Sequence, residues 1–185
     1  MPIHPIGEKN RKGTLGSYYS VKDYTAVNPE HGTVQEFKHL VDRIHELGMF
    51  VIMDWVANHS AWDNAWVEDH PEWYTRDENG NMQPPVADWS DVADLNFENP
   101  AMREAMIQSM LYWVQEADID GFRCDVAGMV PLSFWIEARE KLESEKPLFM
   151  LAEGGEAELH TAFDMTYGWD VHHLMNDIAR GEKDG

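Results

Sequence analysis

Three short segments of the chain each close an apolar run with a carboxylate. They are residues 54–59 (DWVANH), 121–126 (GFRCDV) and 151–154 (LAEG). Each segment is typical of a buried strand that carries one acid at its C-terminal end. The carboxyl ends of parallel strands meet at one edge of a sheet, where α/β proteins assemble their active sites, so we expect the three acids to share one pocket.

Asp125 and Glu153 are the acids that this pattern favours for catalysis. Hydrolysis of a glycosidic bond commonly needs one carboxyl group that attacks or activates water and one that protonates the leaving oxygen. Arg123 and Asp125 are two residues apart on a strand and therefore face the same side. The functional interpretation is that Arg123 lowers the pKa of Asp125 and keeps it ionised as a nucleophile. The alternative is a structural Arg–Asp pair, since such pairs also perturb ionisation.

Glu153 ends the third apolar run and precedes two glycines, where the chain can turn sharply and leave room for a ligand. A general acid needs partial desolvation to keep its proton, and the end of a buried strand can provide it. The alternative is a solvated acid in a loop.

Asp54, Asn58 and His59 form a third group of polar residues directly after a strand. Asp54 ends the strand, His59 can donate to sugar hydroxyls, and Asn58 has a carbonyl oxygen of the kind that calcium accepts. A single histidine is more often a surface or satisfied core residue, so the Asp-x-x-x-Asn-His spacing carries this prediction.

The elements that must position these residues alternate between helix and strand. Thr33 and Glu36 form a capping-box pattern for a helix over 33–47, which runs into the apolar residues 49–53. That run predicts a strand covered on both faces. Further helices are predicted at 99–117, 133–142 and 170–180, and further strands at 121–126, 148–152 and 163–166. The alternation predicts an α/β fold with a parallel sheet.

The segment 55–98 shows no lasting period, although it is rich in aromatic residues (Trp62, Trp66, Trp73, Tyr74 and Trp89). A loop much longer than roughly 15 residues is usually functional or disordered, and the aromatic content argues against disorder. Only about four strands are predicted, whereas a (β/α)₈ barrel has eight strands in about 250 residues. The 185 residues therefore indicate a segment of a larger fold.

Composition excludes some classes of partner. The formal net charge is −20, which repels nucleic acid backbones and anionic membrane surfaces. No apolar run approaches the roughly 20 residues needed to span a bilayer, and residues 1–7 lack a signal-peptide pattern. The compartment stays open, with a secreted or periplasmic parent among the options. The single cysteine, Cys124, is expected to be a core residue.

Taken together, the three segments resemble three of the four best-known sequence regions of the α-amylase family of glycoside hydrolases. Residues 92–96 (VADLN) resemble an additional short motif of that family, and residues 2–5 and 16–24 extend the likeness upstream. The resemblance implies a partial TIM (β/α)₈ barrel, about strands 3 to 6. Its barrel segments would be residues 1–54 and 99–185, with 55–98 as a small domain inserted after the third strand.

The resemblance also implies roles for individual residues in a retaining hydrolysis of α-glucosidic bonds in starch-like glucans. Asp125 would be the nucleophile, Glu153 the general acid/base and Arg123 the partner of the nucleophile. His59 would bind the sugar at the cleaved linkage, Tyr19 would stack on its ring, and Asp54 would be a structural aspartate beneath the site. Asn58 and Asp94 match positions that hold calcium in many members, and no organic cofactor is implied. The tryptophans of 55–98 would be either sugar platforms or the core of the inserted domain.

The sequence departs from the family pattern at two places. No counterpart of the fourth region, with its third catalytic aspartate, is found, so we expect the 185 residues to lack part of the active site. Gly128 and Met129 stand where many α-amylases have Lys-His, so the leaving-group side of the cleft is expected to differ. The alternatives are an α-glucosidase, a cyclomaltodextrinase, a transglycosylase or a non-catalytic carbohydrate-binding fragment. Exposed barrel edges would also permit self-association.

Overall fold

A computed structural model describes residues 1–183 and contains one four-stranded parallel sheet and one two-stranded antiparallel sheet. The strands are β1 (Ile52–Trp55), β2 (His59–Ala61), β3 (Val92–Asp94), β4 (Gly121–Cys124), β5 (Phe149–Ala152) and β6 (Met165–Thr166). The parallel sheet has the order β1-β4-β5-β6, and β2 pairs with β3. The α/β fold with a parallel sheet is therefore confirmed.

The helices lie between the strands along the chain. They are α1 (Val34–Glu46), α2 (Ala65–Asp69), α3 (Pro100–Ala117), α4 (Leu132–Glu143) and α5 (Trp169–Ala179). The predicted capping box at the start of α1 is present, because the Thr33 hydroxyl accepts from the Glu36 amide and the Glu36 carboxylate accepts from the Thr33 amide. Asn99 caps α3 by accepting from two amides of its first turn. These local signals predicted both helices correctly.

The register of the parallel sheet brings the ends of three strands into one row. Asp54 on β1 is the partner of Arg123 on β4, and the backbone amide of Asp125 donates to the carbonyl of Trp55 at 2.8 Å. On the other side of β4, the amide of Glu153 donates to the carbonyl of Cys124 at 3.0 Å. The acids of the three segments therefore emerge at the same edge.

The first strand was predicted wrongly in its bounds and its burial. The prediction was 49–53 with both faces covered, whereas β1 is Ile52–Trp55 and Phe50 is 82% exposed. Strand pairing begins only at Ile52, opposite Gly121, and the preceding Val51 exchanges hydrogen bonds with Asp120 instead. An apolar run does not reveal which of its residues find a pairing partner.

One hydrophobic core includes residues of the sheet, the helices and the segment 55–98. Its largest fully buried side chains include Trp55, Trp113, Trp135, Phe122 and Phe134. The segment 55–98 adds the buried residues Trp73, Tyr74, Ala93 and Leu95 to the same cluster. The division of the chain into barrel segments and an inserted domain stays a prediction.

Two smaller expectations concern residues 1–183. Cys124 is buried, as expected for a core residue, and burial raises the pKa of its thiol well above the usual range. No helix in this part of the chain combines the length and the apolar character that crossing a bilayer requires. Self-association through the sheet edges stays a prediction.

Candidate active site

One guanidinium group holds the three predicted acids together. Nη1 of Arg123 lies 2.7 Å from Asp54 Oδ1 and 3.0 Å from Asp125 Oδ1, and Nη2 lies 2.8 Å from Glu153 Oε1. The side chains of Arg123 and Asp125 are only 15% and 11% exposed. The structure thus places Asp54, Asp125 and Glu153 in one site, although their roles stay predictions.

The turn after β4 fixes the two candidate catalytic acids relative to each other. Val126 has a φ of 39°, in the left-handed region that a β-branched residue rarely adopts. Its amide donates to Glu153 Oε2 at 3.0 Å, and the amide of Ala127 donates to the carbonyl of Glu153 at 3.0 Å. Such a conformation costs about 1–3 kcal/mol and is maintained only where surrounding contacts enforce it. Here the contacts to Glu153 enforce it.

The ionisation of Asp125 differs from the sequence prediction. Burial raises the pKa of Asp125 to about 7, and the adjacent Glu153 carboxyl adds to the rise through its charge and a side-chain hydrogen bond. Arg123 opposes this shift but does not reverse it. The prediction that Arg123 keeps the pKa of Asp125 low is therefore wrong, because burial and a second acid outweigh one cation.

The separation of the two catalytic carboxyl groups of a glycosidase determines the stereochemistry of hydrolysis, which makes the placement of Asp125 and Glu153 informative. Their carboxylates lie 3.0 and 2.8 Å from the two terminal nitrogens of the same guanidinium, which brings the two carboxyl groups near each other. Carboxyl groups of inverting glycosidases lie roughly 6.5–9.5 Å apart because a water must fit between them, whereas those of retaining enzymes lie roughly 5–5.5 Å apart. The retaining arrangement of the two acids stays a prediction.

Tyr19 lies beside Asp54 at the edge of the same site. Its hydroxyl donates to Asp54 Oδ2 at 3.1 Å. Burial, assisted by the charge of Asp54, raises the pKa of Tyr19 to about 12, so the hydroxyl stays protonated. The half-buried ring lines the cleft, where the resemblance placed a stacking residue.

His59 begins β2 and lies inside the wall of the cleft. Burial lowers the pKa of His59 to about 4, so its imidazole is neutral near pH 7. Nδ2 of Asn58 lies 3.2 Å from Nδ1 of His59, and the backbone of Tyr19 is a second hydrogen-bond partner of the ring. The ring also meets Trp89 edge-on at a centroid distance of 5.6 Å. A neutral imidazole with one N–H suits hydrogen bonding to a hydroxyl.

These residues surround a cleft of about 560 Å³. The lining side chains include Tyr19, His59, Trp89, Arg123, Asp125 and Glu153. Its size falls within the range of roughly 300–1,000 Å³ that is usual for small-molecule sites. The structure therefore gathers most of the predicted site residues around one cavity, while Asp54 lies outside its lining and contacts Arg123 and Tyr19.

Sequence reasoning missed Tyr167 and Lys12. The Tyr167 hydroxyl accepts from Nε of Arg123 at 3.2 Å, and its ring lies 5.7 Å from the guanidinium carbon. Its position immediately after the weak strand β6 was a usable signal, because that strand ends at the same edge. Lys12 reaches the cleft and lies 3.3 Å from Asp91, but it comes from an irregular loop without a pattern.

The aromatic residues of 55–98 divide between the two expected roles. Trp73 and Tyr74 are buried in the core, and Trp62 and Trp66 pack against it. Trp89 lines the cleft beside His59. Among these side chains Trp89 is therefore the one in position to contact a sugar.

Asn58 and Asp94 lie on facing segments, because the amide of Leu95 donates to the carbonyl of Asn58 and His59 pairs with Asp94. Burial raises the pKa of Asp94, and the Thr75 hydroxyl donates to its carboxylate at 2.6 Å. Calcium takes about 6–8 oxygen ligands, so these two residues would supply only part of a site. Within residues 1–183, no three His, Cys, Asp or Glu side chains cluster as a metal site.

Comparison with known proteins agrees with this geometry. The family described as alpha amylase, catalytic domain, matches residues 3–91 and 85–177. An intracellular maltogenic amylase of Bacillus subtilis is 30% identical over 178 residues, covering 85% of this chain and 28% of the relative. The chain therefore spans less than a third of this curated relative.

Two solved structures are closely similar to this chain. An α-amylase from Lactobacillus plantarum has a TM-score of 0.94 and 44% identity, and the match covers 98% of this chain and 47% of that one. A maltogenic α-amylase from Thermotoga neapolitana has a TM-score of 0.93 and 49% identity, with 99% and 43% coverage. The partial TIM-barrel fold is confirmed by these similarities.

Proposed function

Because this chain belongs to the α-amylase family of glycoside hydrolases, we propose that it carries the nucleophile and the acid/base of a retaining enzyme acting on α-glucosidic bonds of starch-like glucans. The observation that carries the proposal is the placement of Asp125 and Glu153 on the two terminal nitrogens of one guanidinium. Both acids line a cleft of sugar-binding size.

The chemistry follows from the positions of the two acids. Asp125 attacks the anomeric carbon and forms a glycosyl ester, while Glu153 donates its proton to the departing glycosidic oxygen. Glu153 then takes a proton from water, which attacks the anomeric carbon of the ester. This step frees the Asp125 carboxylate and releases the sugar with its original anomeric configuration. The reaction starts from ionised Asp125 and from a Glu153 that carries the proton to be donated.

The remaining cleft residues bind and orient the sugar. Arg123 holds both acids and stabilises ionised Asp125, and Asp54 holds Arg123 from below. Neutral His59 hydrogen-bonds a sugar hydroxyl, while the rings of Tyr19 and Trp89 pack against the apolar side of the sugar. The maltogenic amylases among the similar proteins support an α-glucan as the substrate.

Calcium belongs to the proposal as a structural ion. Asn58 and Asp94 would each supply one oxygen ligand to it at the base of the 55–98 segment, with the remaining ligands coming from elsewhere. The placement of Asn58 and Asp94 on facing segments supports this role.

The test of the proposed function is release of reducing sugar from soluble starch and maltoheptaose. The unmodified chain is compared with Asp125→Asn and with Asp42→Asn, which changes an exposed aspartate on α1. Activity that disappears in Asp125→Asn and persists in Asp42→Asn supports the assignment. Substantial turnover by a folded Asp125→Asn protein would remove Asp125 from the nucleophile role, and a β-anomeric first product from an α-linked substrate would contradict retention.

A further inference from the structure

A second depression adjoins the cleft on the far side of Glu153. It has a volume of about 370 Å³ and shares Val126 and Glu153 with the cleft, but not Tyr19 or His59. Its other lining residues are Gly128, Met129, Gly154, Gly155, Glu156 and Trp169. Because Glu153 protonates the departing oxygen in the proposed function, a cavity beyond it is the place for the leaving group.

Two glycines make room for the Glu156 carboxylate in this depression. A Cβ atom on Gly128 would lie 2.8 Å from both carboxylate oxygens of Glu156, and one on Gly154 would lie 2.7 Å from Oε2. Real Cβ atoms do not approach so closely, so any larger residue at either position would displace the carboxylate. Gly128 is one of the two positions at which the sequence departs from many α-amylases.

The Glu156 carboxylate does not cap the helix that follows it. Glu156 precedes the short 3₁₀ helix Ala157–Thr161, where an acidic residue would ordinarily accept from the first backbone amides. Glu156 occupies the N-cap position of this helix, but within the described chain its side chain makes no capping hydrogen bond. Instead, the carboxylate lies over the two glycines, beside the proton donor Glu153.

The depression contains one group that can bind sugar hydroxyls and one that can pack against the C–H face of a glucose ring. A carboxylate has two acceptor oxygens and can bind two neighbouring hydroxyl groups at once. Trp169, 37% exposed, lines the same depression and offers an apolar ring face to the C–H side of a sugar. A leaving group without neighbouring hydroxyl groups, such as a nitrophenol, could not donate hydrogen bonds to the carboxylate in this way.

We propose that Glu156 is a specificity-determining residue, which binds two neighbouring hydroxyls of the leaving-group glucose in a depression opened by Gly128 and Gly154. The inference rests on the proposed function for the orientation of the substrate. It assigns the leaving-group side of the cleft to a carboxylate from the loop after β5, in place of residues directly after the nucleophile.

The test compares two substrates that share a maltosyl group and differ in the leaving group. Maltotriose releases glucose, and p-nitrophenyl α-maltoside releases a phenol. In Glu156→Ala, kcat/KM for maltotriose should fall about tenfold more than kcat/KM for the aryl substrate, since a charge-assisted contact is lost only with glucose. Gly128→Ala should act in the same direction, because the new methyl group displaces the carboxylate.

Glu158→Ala is the matched control, because Glu158 is an exposed glutamate on the same short helix that does not line the depression. Its ratio of the two kcat/KM values should stay within about twofold of the unmodified ratio. An unchanged ratio in Glu156→Ala, or equal losses on both substrates, would overturn the inference.

A binding measurement separates this inference from the proposed function. Maltotriose is titrated into Asp125→Asn protein with and without Glu156→Ala, with tryptophan fluorescence as the signal. Weaker binding by about tenfold in the double variant supports the role of Glu156 even where the unmodified chain shows no turnover, an outcome that would count against the proposed function alone. Equal affinities, or no maltotriose binding, would overturn the inference.

Discussion

Replacing Arg123 by methionine tests the centre of the site without requiring turnover. The guanidinium contacts Asp54, Asp125 and Glu153 at 2.7, 3.0 and 2.8 Å, and all four side chains are at least three-quarters buried. Removing one partner of a buried ion pair costs about 3–5 kcal/mol, because it leaves uncompensated charge. We expect a loss of this size in the free energy of unfolding of Arg123→Met at pH 8.

The loss should depend on pH in a defined direction. Arg123 is the cation that opposes the raised pKa of Asp125, so its removal moves that pKa further above 7. The pKa of an aspartate in the unfolded chain is about 3.9, so the folded state binds more protons between these values and stability falls as pH rises. A rise of one unit or more adds at most about 1.4 kcal/mol to the loss at pH 8, because the group then stays largely protonated there, and it adds almost nothing at pH 5.

Urea unfolding of the unmodified and variant proteins at pH 5 and pH 8 measures both effects. Arg43→Met is the control, because Arg43 and Glu46 form a pair that is 59% and 58% exposed, and its loss should change stability by no more than about 0.5 kcal/mol. A loss below about 1 kcal/mol for Arg123→Met, or equal losses at the two pH values, would refute the reasoning.

Three further predictions concern other groups of the site. Asp125→Asn should raise the free energy of unfolding by about 1–3 kcal/mol at pH 8 and by less towards pH 4, because the raised pKa of Asp125 makes its ionised form costly in the folded state; urea unfolding checks this. The pKa of His59 is lowered to about 4, so the folded state loses stability as pH falls from about 6.5 to 4, and His59→Gln should flatten this part of a thermal-unfolding profile. Calcium should raise the unfolding temperature of the unmodified protein, chelation should reverse the rise, and Asp94→Asn should remove it; an equal rise in both proteins would exclude Asp94 as a ligand.

Local sequence patterns correctly predicted two helix starts and the strands that carry an acid at their C-terminal end. The capping box at Thr33 and the Asn99-Pro100 start each depend on residues within one helical turn, so the sequence contains the whole interaction. The acids at the C-terminal ends of β1, β4 and β5 were also predictable, because parallel pairing places strand ends at one edge.

Features that depend on distant partners were not predictable in this way. The bounds of β1 depend on where Gly121 begins to pair, almost 70 residues later in the chain. Tyr167 acts through Arg123, and Glu156 is positioned by Gly128, so neither residue has a local pattern. The pKa of Asp125 depends on burial and on Glu153, which only the folded sheet brings together.

The error about Asp125 has a mechanistic meaning. One guanidinium faces three buried carboxyl groups, so the site would carry excess negative charge if all three acids were ionised. Burial and the adjacent Glu153 raise the pKa of Asp125 to about 7, so protonation of Asp125 can relieve this excess near neutral pH. Retaining hydrolysis needs one ionised and one protonated carboxyl group, since one acid must attack as an anion while the other donates a proton. In the proposed reaction, a pKa of about 7 leaves Asp125 partly ionised at neutral pH, and Asp54 shares the positive charge of Arg123 with it.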